Sequence, residues 1–211
     1  MASPLQPGGR EGSGDSIHSP SPGPGPGRER ILALRNRQRL RRVDLRLLRR
    51  IARALLQETW PDGSCDLAIY IVGEPEITRL NETFLRHKGS TDVITFDYAE
   101  GVAPLSRLSR RDAGPALLHG EVFVCLDEAL SQARRFQATW QSELVRYVVH
   151  GVLHLLGHDD LERRARRQMK AAEDALVRKL ARQFDFHRLA HRAGPGRSTR
   201  NSSHSCPAPR L

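Results

Sequence analysis

The chain has 211 residues, of which 38% are hydrophobic and 5% aromatic, and its formal net charge is +10. This length and this hydrophobic content suffice for one core but not for two, so the composition predicts a single domain with tails. The excess of positive charge favours a polyanionic partner, nucleic acid first and a membrane surface second. No apolar stretch reaches the roughly 18 residues that a membrane span needs, and no apolar signal region follows the N-terminus.

Three isolated cysteines are present, Cys65, Cys125 and Cys206, and no two of them form a Cys-x-x-Cys pair. Scattered thiols in an odd number are typical of reduced cysteines in a cytoplasm. We therefore expect a cytoplasmic location, and we do not expect a zinc ion bound through thiolates.

Both ends of the chain have the composition of disordered segments. Residues 1–29 are rich in Pro, Gly and Ser, and residues 189–211 are rich in Arg, Ser, Gly and Pro. Such segments bury too little apolar surface to offset the entropy lost on ordering. We predict two disordered tails around one folded domain of residues 30–188.

Between the tails, short β-rich runs alternate with amphipathic patterns. The β-rich runs predict strands at 31–34, 67–72, 91–96 and 120–126. Apolar residues at helical spacing predict helices at 43–59, 77–85, 127–138, 141–156 and 161–184. Asp44 is expected in the first turn of the first helix and Asp127 as the N-cap of the third. Residues 98–117 lack a consistent period and predict a long loop.

The stretch from His150 to Asp160 carries the clearest chemistry. His150 and His154 are four residues apart, so on a helix they lie on one face and can bind the same ion. Gly157 allows the left-handed residue that ends a helix, so the chain can turn back toward the histidines. Asp159 and Asp160 follow directly, and either carboxylate can bring an oxygen to the same point.

Two nitrogens and one oxygen leave a fourth position open, as in a catalytic zinc site. A histidine on an apolar helix more often has only a structural hydrogen bond, but two at this spacing beside a glycine turn and acids favour a metal. Zinc proteases of the His-Glu-x-x-His kind carry their general base directly after the first His, where this chain has Gly151. The pattern thus predicts a metal-dependent site other than that of such a protease.

The run His150-Gly-x-Leu-His154-Leu-x-Gly157 resembles the pattern His-Gly-x-x-His-Leu-x-Gly-aromatic-Asp-His of the YbeY family of rRNA-maturation endoribonucleases. The chain departs from that pattern in having His158 at the aromatic position and Asp160 at the last His. Two further blocks are similar to the family: Asn81-x-x-Phe84 with Thr91-Asp92-Val93-x-x-Phe96, and Gly120-Glu121-Val122. The resemblance covers about residues 30–184.

This resemblance implies an α+β fold, with a mixed β-sheet of about four strands and packed helices. It also implies one Zn²⁺ per chain, bound by His150, His154 and Asp160. The implied activity is zinc-dependent, single-strand-specific cleavage of RNA in rRNA maturation, at the 3′ end of 16S rRNA, and in ribosome quality control. Its partner is then the rRNA of the small ribosomal subunit, with no membrane and no small-molecule cofactor beyond the metal.

Two groups of cationic side chains are candidates for contact with RNA phosphates. Arg86 and His87 are predicted to be catalytic, and Lys88 to bind RNA, because charge-assisted donors hold phosphate strongly. Arg86 also neighbours the position at which many family members carry an arginine. The densest cationic run is predicted to bind the RNA backbone, and consists of Arg39, Arg41, Arg42, Arg46, Arg49 and Arg50. For both groups the alternative is a solvated surface.

A second function stays open, that of a non-catalytic ribosome-assembly factor with a structural zinc ion. Structural zinc sites normally have four protein ligands, so a fourth ligand from His158 or Asp159 would favour this alternative. A metalloprotease, or another hydrolase of small substrates, fits Gly151 and the positive charge poorly.

Overall fold

The computed structural model describes residues 30–99 and 117–190. Within them, four strands form one sheet: β1 (Arg30–Asn36), β2 (Ser64–Val72), β3 (Val93–Asp97) and β4 (Leu117–Cys125). The strand order is β1-β2-β4-β3, in which β1, β2 and β4 are parallel and β3 runs antiparallel to β4. The predicted α+β fold with a mixed sheet is therefore confirmed.

In the same described residues, five α-helices accompany the sheet: α1 (Leu45–Thr59), α2 (Glu74–Leu80), α3 (Leu126–Arg135), α4 (Trp140–Leu155) and α5 (Arg163–Gln183). A π-helical turn, Asn81–Leu85, continues α2, and a 3₁₀ turn, Phe186–Leu189, follows α5. The helix predicted at 77–85 thus starts at Glu74 and changes its hydrogen-bond pattern at Asn81. None of the helices in residues 30–99 and 117–190 is long and apolar enough to cross a membrane.

The main core lies on one face of the sheet. Side chains alternate between the two faces of each strand, so every second strand residue points into this core. Inward-facing residues such as Leu67, Ile69 and Val122 are fully buried there under α1, α4 and α5. A smaller cluster on the opposite face contains Val72 and Ile77, the latter from α2. Helices therefore cover the first face of the sheet more completely than the second.

Two aspartates at helix starts have roles that differ from those predicted. Asp44 is the N-cap of α1 rather than a first-turn residue, and its carboxylate accepts hydrogen bonds from the backbone N–H groups of Arg46 and Leu47. Asp127 is not the N-cap of α3, because this helix already begins at Leu126 with Cys125 in the cap position. Its carboxylate instead accepts the Glu74 N–H at 2.8 Å, so Asp127 caps α2 from a neighbouring helix.

The folded part extends beyond the predicted boundary at Arg188. Leu189 is fully buried, its carbonyl accepts the N–H of Asp44 at 2.9 Å, and Ala190 pairs with Val43. These contacts fix the segment after α5 to the start of α1. The predicted tail 1–29, residues 191–211 of the predicted tail 189–211, and residues 100–116 of the predicted loop lie outside the described residues.

Candidate metal centre

Helix α4 brings the two histidines of the motif to the sheet. Thr139 caps the helix by accepting the Ser142 N–H at 3.2 Å. At Gly151 the helix lies so close to the sheet that an added Cβ would be 2.4 Å from Cγ1 of Val122. A glutamate here would collide with β4, which explains in steric terms why the carboxylate of a protease motif is absent.

The structure brings together the three predicted metal ligands. The candidate ligand atoms of His150, His154 and Asp160 all lie within 4.8 Å of one another. The two Nε2 atoms of the histidines are 3.1 Å apart, close to the roughly 3.3 Å that tetrahedral bonds of about 2.0–2.1 Å would require. Gly157 has φ 83°, so it ends the helix as predicted and turns the chain toward Asp160.

The hydrogen bonds of the two imidazoles leave both Nε2 atoms available as ligands. Nδ1 of His150 faces Oε2 of Glu173 at 3.0 Å, and Nδ1 of His154 faces the carbonyl oxygen of His158 at 3.1 Å. A carboxylate and a carbonyl only accept, so each Nδ1 carries the proton and donates. In the neutral histidines both Nε2 lone pairs then point toward the same place. This donor set, completed by a carboxylate, fits a zinc ion.

Glu173, on α5, is the main support of His150 and was not among the site residues predicted from the sequence. It is only 5% exposed and also accepts hydrogen bonds from Arg146 Nη1 and, at 2.8 Å, from Lys170 Nζ. Burial opposes the charge of this carboxylate. The hydrogen bonds from His150, Lys170 and Arg146 outweigh burial and lower the pKa of Glu173 to about 2.

A signal for Glu173 was present in the helical pattern. Met169, Glu173, Val177 and Leu180 are the buried residues of α5 and follow one another at helical spacing. An acid within such an apolar stripe requires a buried partner, because an isolated buried charge is unfavourable. The partner itself was not predictable, since Arg146 and His150 lie on another helix.

The two histidines differ in their affinity for a proton. Burial lowers the pKa of His150, but the hydrogen bond and negative charge of Glu173 outweigh this effect, so that the pKa is raised. The pKa of His154 is lowered by burial and by the positive charge of His150. When His150 is charged, its second proton is on Nε2, the atom that would bind a metal. Metal binding therefore has to displace this proton.

The neighbours of Asp160 do not join the cluster. The side chain of His158 is exposed, and Oδ1 of Asp159 accepts the backbone N–H of Leu161 at 2.9 Å. Arg166 Nε donates to the Asp160 carbonyl at 2.9 Å and anchors the turn. Within residues 30–99 and 117–190, no fourth His, Cys, Asp or Glu belongs to this group. A tetrahedral ion held by these three residues would have one position left for a non-protein ligand.

A comparison of Asp160 with His158 tests the third ligand. We expect Asp160→Ala to weaken zinc affinity by at least about 10-fold, because an oxygen ligand is lost, and His158→Ala to leave it nearly unchanged. Competition with a fluorescent zinc chelator measures both affinities on the full chain. If His158→Ala had the larger effect, the assignment of Asp160 would be wrong.

The other predicted site residues lie apart from this cluster. Arg86, His87 and Lys88 are exposed in the turn that follows the π-helical turn, and no described contact joins them to the histidines. Arg86 has a left-handed backbone with φ 57°, and the turn is held by Asn81, whose Nδ2 donates to the Gly89 carbonyl at 2.9 Å. The turn is therefore fixed in shape, with its cations in solvent.

The predicted RNA-binding arginines lie near the opposite edge of the sheet. Arg39, Arg41 and Arg42 precede α1, and Arg46, Arg49 and Arg50 are on it. Five of the six are exposed and Arg49 is partly buried. Helix α1 packs on β1, whereas α4 packs on β4 and β3. The cationic run and the metal centre thus occupy different edges of the sheet.

Comparison with known proteins relates the chain to one family. A family model described as Endoribonuclease YbeY matches residues 33–181. A curated protein of that name from Salinibacter ruber is 37% identical over 51% of this chain and 66% of its own length. The one from Myxococcus xanthus is 38% identical over 63% of this chain and 42% of its own length. The Chlorobaculum tepidum protein is 36% identical over 66% of this chain and 91% of its own length. A solution structure from Thermotoga maritima aligns with TM-score 0.48 at 24% identity, over 72% of this chain and 91% of that one.

Proposed function

Because the chain belongs to the Endoribonuclease YbeY family, we propose that it is a zinc-dependent endoribonuclease specific for single-stranded RNA. The observation that carries the proposal is the pair of Nε2 atoms 3.1 Å apart beside the Asp160 carboxylate. Three protein ligands and an open position are the arrangement of catalytic rather than structural zinc sites. The net charge of +10 supports a polyanionic substrate.

Each residue of the centre has a distinct role in this proposal. His150, His154 and Asp160 hold the zinc ion, which supplies Lewis-acid chemistry toward a phosphodiester. Glu173 fixes the ring orientation of His150 and keeps the proton on Nδ1, while the His158 carbonyl does the same for His154. Arg86 and His87 are proposed to contact the phosphate at the scissile bond, and Lys88 to bind the adjoining backbone.

We place this activity in the maturation of rRNA, at the 3′ end of 16S rRNA in the small subunit, and in ribosome quality control in the cytoplasm. Support for the substrate comes from the family and from the charge of the chain. The alternative, a non-catalytic assembly factor, would bind rRNA with the same basic surfaces but would not cut it.

The test is cleavage of defined substrates by the zinc-loaded full chain. We expect cleavage of single-stranded RNA, much slower cleavage of the same RNA in a duplex, no cleavage of casein, and loss of activity with a chelator. Denaturing gels of end-labelled RNA give the rates. Zinc-dependent RNA binding without any cleavage would support the assembly factor, and cleavage of casein alone would contradict both functions.

The arginines Arg39, Arg41, Arg42, Arg46, Arg49 and Arg50 are proposed to bind the RNA backbone. Phosphate contacts release counterions, so log affinity should fall with log salt with a slope of about −0.7 per phosphate neutralised on a single strand. We expect the triple substitution of Arg46, Arg49 and Arg50 by Gln to flatten this slope by about 1–2 while zinc content stays constant. Fluorescence anisotropy at several salt concentrations measures the slope.

A matched control comes from an arginine outside the run, on the strand β1 against which α1 packs. Replacing Arg35, an exposed β1 residue, by Gln changes the net charge by one unit without touching α1. Its effect on the slope gives the contribution of general charge. If the triple variant flattened the slope by no more than three times the change caused by Arg35→Gln, the run would be only a solvated surface.

A further inference from the structure

The second face of the sheet carries a group of aromatic rings that the metal centre does not use. Helix α2 covers one end of this face through Ile77, and α1, α4 and α5 all pack on the other face. Next to the covered end lie Phe84, Phe96 and Tyr98, which we call the aromatic patch. Phe84 is 61% and Tyr98 44% exposed, which is unusual for large apolar rings that lie side by side.

The three rings of the patch form one connected arrangement around Phe96. Its centroid is 5.2 Å from that of Phe84 in an edge-on geometry and 6.5 Å from that of Tyr98, with the planes of the latter pair only 6° apart. Phe96 is backed from beneath by Phe123 at 5.8 Å. Contacts of this kind orient aromatic rings, so the exposed rings of the patch are held in defined positions.

Glu121 further fixes the position of Tyr98. Its two carboxylate oxygens accept hydrogen bonds from the hydroxyl groups of Tyr70 and Tyr98, at 3.0 and 2.9 Å. The Tyr98 ring is therefore tied at its far end while a large part of it stays in contact with solvent. A binding surface fixed in this way loses little conformational entropy when it takes up a ligand.

The charges around the patch indicate which part of a nucleic acid fits where. The exposed cations Arg86 and Lys88, with the polar side chain of His87 between them, follow Phe84 within four residues, at one border of the patch. Glu121 lies on the sheet face itself, beside Phe96 and Tyr98. Phosphates are therefore repelled from the middle of the face and attracted to the cationic border, whereas uncharged bases can lie on the rings.

We propose that Phe84, Phe96 and Tyr98 form a base-stacking subsite for single-stranded RNA, with the phosphates held along Arg86–Lys88. The subsite and the metal centre lie on opposite faces of the same strand. Gly151 of α4 packs near Val93 at the start of β3, and Leu155 of α4 and the carbonyl oxygen of Phe96 both lie against Gly120. Within the described residues β3 is the edge strand of the sheet, so only this one strand separates the two faces there. A single strand bound to the rings reaches the metal by passing around the β3 edge of the sheet. This inference rests on the proposed function, since it concerns the substrate of the same site.

Binding of an oligoribonucleotide of about 12 nucleotides tests the subsite, a length within the usual 4–16 per site. The full chain carries His154→Ala so that the RNA stays intact. We expect Phe84→Ala and Tyr98→Ala each to raise Kd by about five-fold or more, because stacking contributes about 1 kcal/mol or more per base and 1.4 kcal/mol is tenfold in Kd. Phe84→Tyr, which keeps a ring, should bind normally, and Phe84→Leu, which keeps only an apolar side chain, should not.

Phe136→Ala is the matched control, because Phe136 is another exposed phenylalanine, 66% accessible, at the end of α3. It should leave Kd unchanged. The same oligonucleotide with abasic sites should bind all variants with equal affinity, since it has no bases to stack. Equal Kd values for Phe84→Ala, Tyr98→Ala and Phe136→Ala with intact RNA would overturn the subsite. It would also be overturned if Phe84→Leu bound RNA as tightly as the unsubstituted side chain.

The same variants separate this inference from the proposed function. In the background with both histidines, cleavage by the unsubstituted chain reports on the enzyme, whatever the patch binds. Cleavage without any effect of the patch variants on Kd would refute the subsite alone. Normal RNA affinity together with a changed oligomeric state of Phe84→Ala in sedimentation would refute it in favour of a contact between copies of this chain.

Discussion

Replacing His154 by alanine is expected to remove the bound zinc and RNA cleavage together. The substitution deletes one of the two Nε2 atoms that lie 3.1 Å apart and leaves only His150 and Asp160 at the centre. Loss of a second-layer partner already weakens metal binding by about 10–100-fold, so we expect at least about 100-fold from the loss of a direct ligand. Elemental analysis of the purified chain and cleavage of end-labelled single-stranded RNA measure the two effects.

His187→Ala provides the control for this experiment. His187 is an exposed histidine in the 3₁₀ turn after α5, outside the cluster of candidate ligands. Its substitution should change neither zinc content nor cleavage rate. A His154→Ala protein that kept a full equivalent of zinc, or that cleaved RNA at the original rate, would show that the centre is not the one we describe.

The second large effect is expected at Glu173, which connects α5 to α4. Glu173→Ala leaves the buried part of Arg146 and the Nδ1 atom of His150 without their shared carboxylate. Breaking a buried ion pair costs about 3–5 kcal/mol, and Arg146 keeps a contact to Asp174, so we expect a loss of about 3 kcal/mol in the free energy of unfolding. Zinc affinity should fall by about 10–100-fold because His150 is no longer oriented.

The effect of Glu173 on stability should depend on pH in a definite direction. Its pKa in the folded chain is about 2, below the usual 4.5, so the folded state binds this proton less readily than the unfolded state. The stabilisation is therefore complete above about pH 4.5 and is lost as the pH falls toward 2. At about 1.4 kcal/mol per pKa unit the shift corresponds to about 3 kcal/mol, in agreement with the value from the broken ion pair.

Denaturant unfolding of the metal-free chain between pH 7 and pH 3 measures this dependence. The difference in the free energy of unfolding between the original chain and Glu173→Gln should narrow as the pH falls, because Glu173 takes up a proton below about pH 4.5 in the unfolded chain but stays ionised down to about pH 2 in the folded chain. Asp174→Asn is the matched control, because Asp174 shares Arg146 with Glu173, is more exposed and makes no described contact with His150. Asp174→Asn should lower the free energy of unfolding less than Glu173→Gln does and should leave the zinc affinity unchanged. If the free energies of unfolding of Glu173→Gln and of the original chain differed by the same amount at every pH from 7 to 3, this role would be contradicted.

Local patterns in the sequence predicted the elements that local geometry controls. His150 and His154 meet because 3.6 residues per turn place positions four apart on one face, whatever the rest of the chain does. Gly157 ends the helix because glycine adopts φ 83° without a steric cost. The four strands and the helix 141–156 followed in the same way from periodicity, with small shifts at their ends.

Capping and helix continuity were less predictable because they involve more distant residues. Asp127 has the composition of an N-cap, yet its carboxylate binds the Glu74 N–H, 53 residues away in sequence. The end of the domain was placed too early for a similar reason. Leu189 lies beyond the last predicted helix, where the composition turns to Arg, Ser, Gly and Pro, and only its packing beside Asp44 identifies it as part of the core.

The sequence by itself determined the sheet-and-helix composition, the histidine pair and its proximity to an acid, since each depends on residues within about eleven positions of one another. Only the tertiary structure decided which distant side chains complete the centre. Glu173 reaches His150 because α5 packs on α4, and Phe84 meets Phe96 because the turn after α2 folds over β3. Such pairings depend on the docking of whole elements, which buries surface from both partners at once. The periodicity of one segment marks its buried face but does not identify the partner.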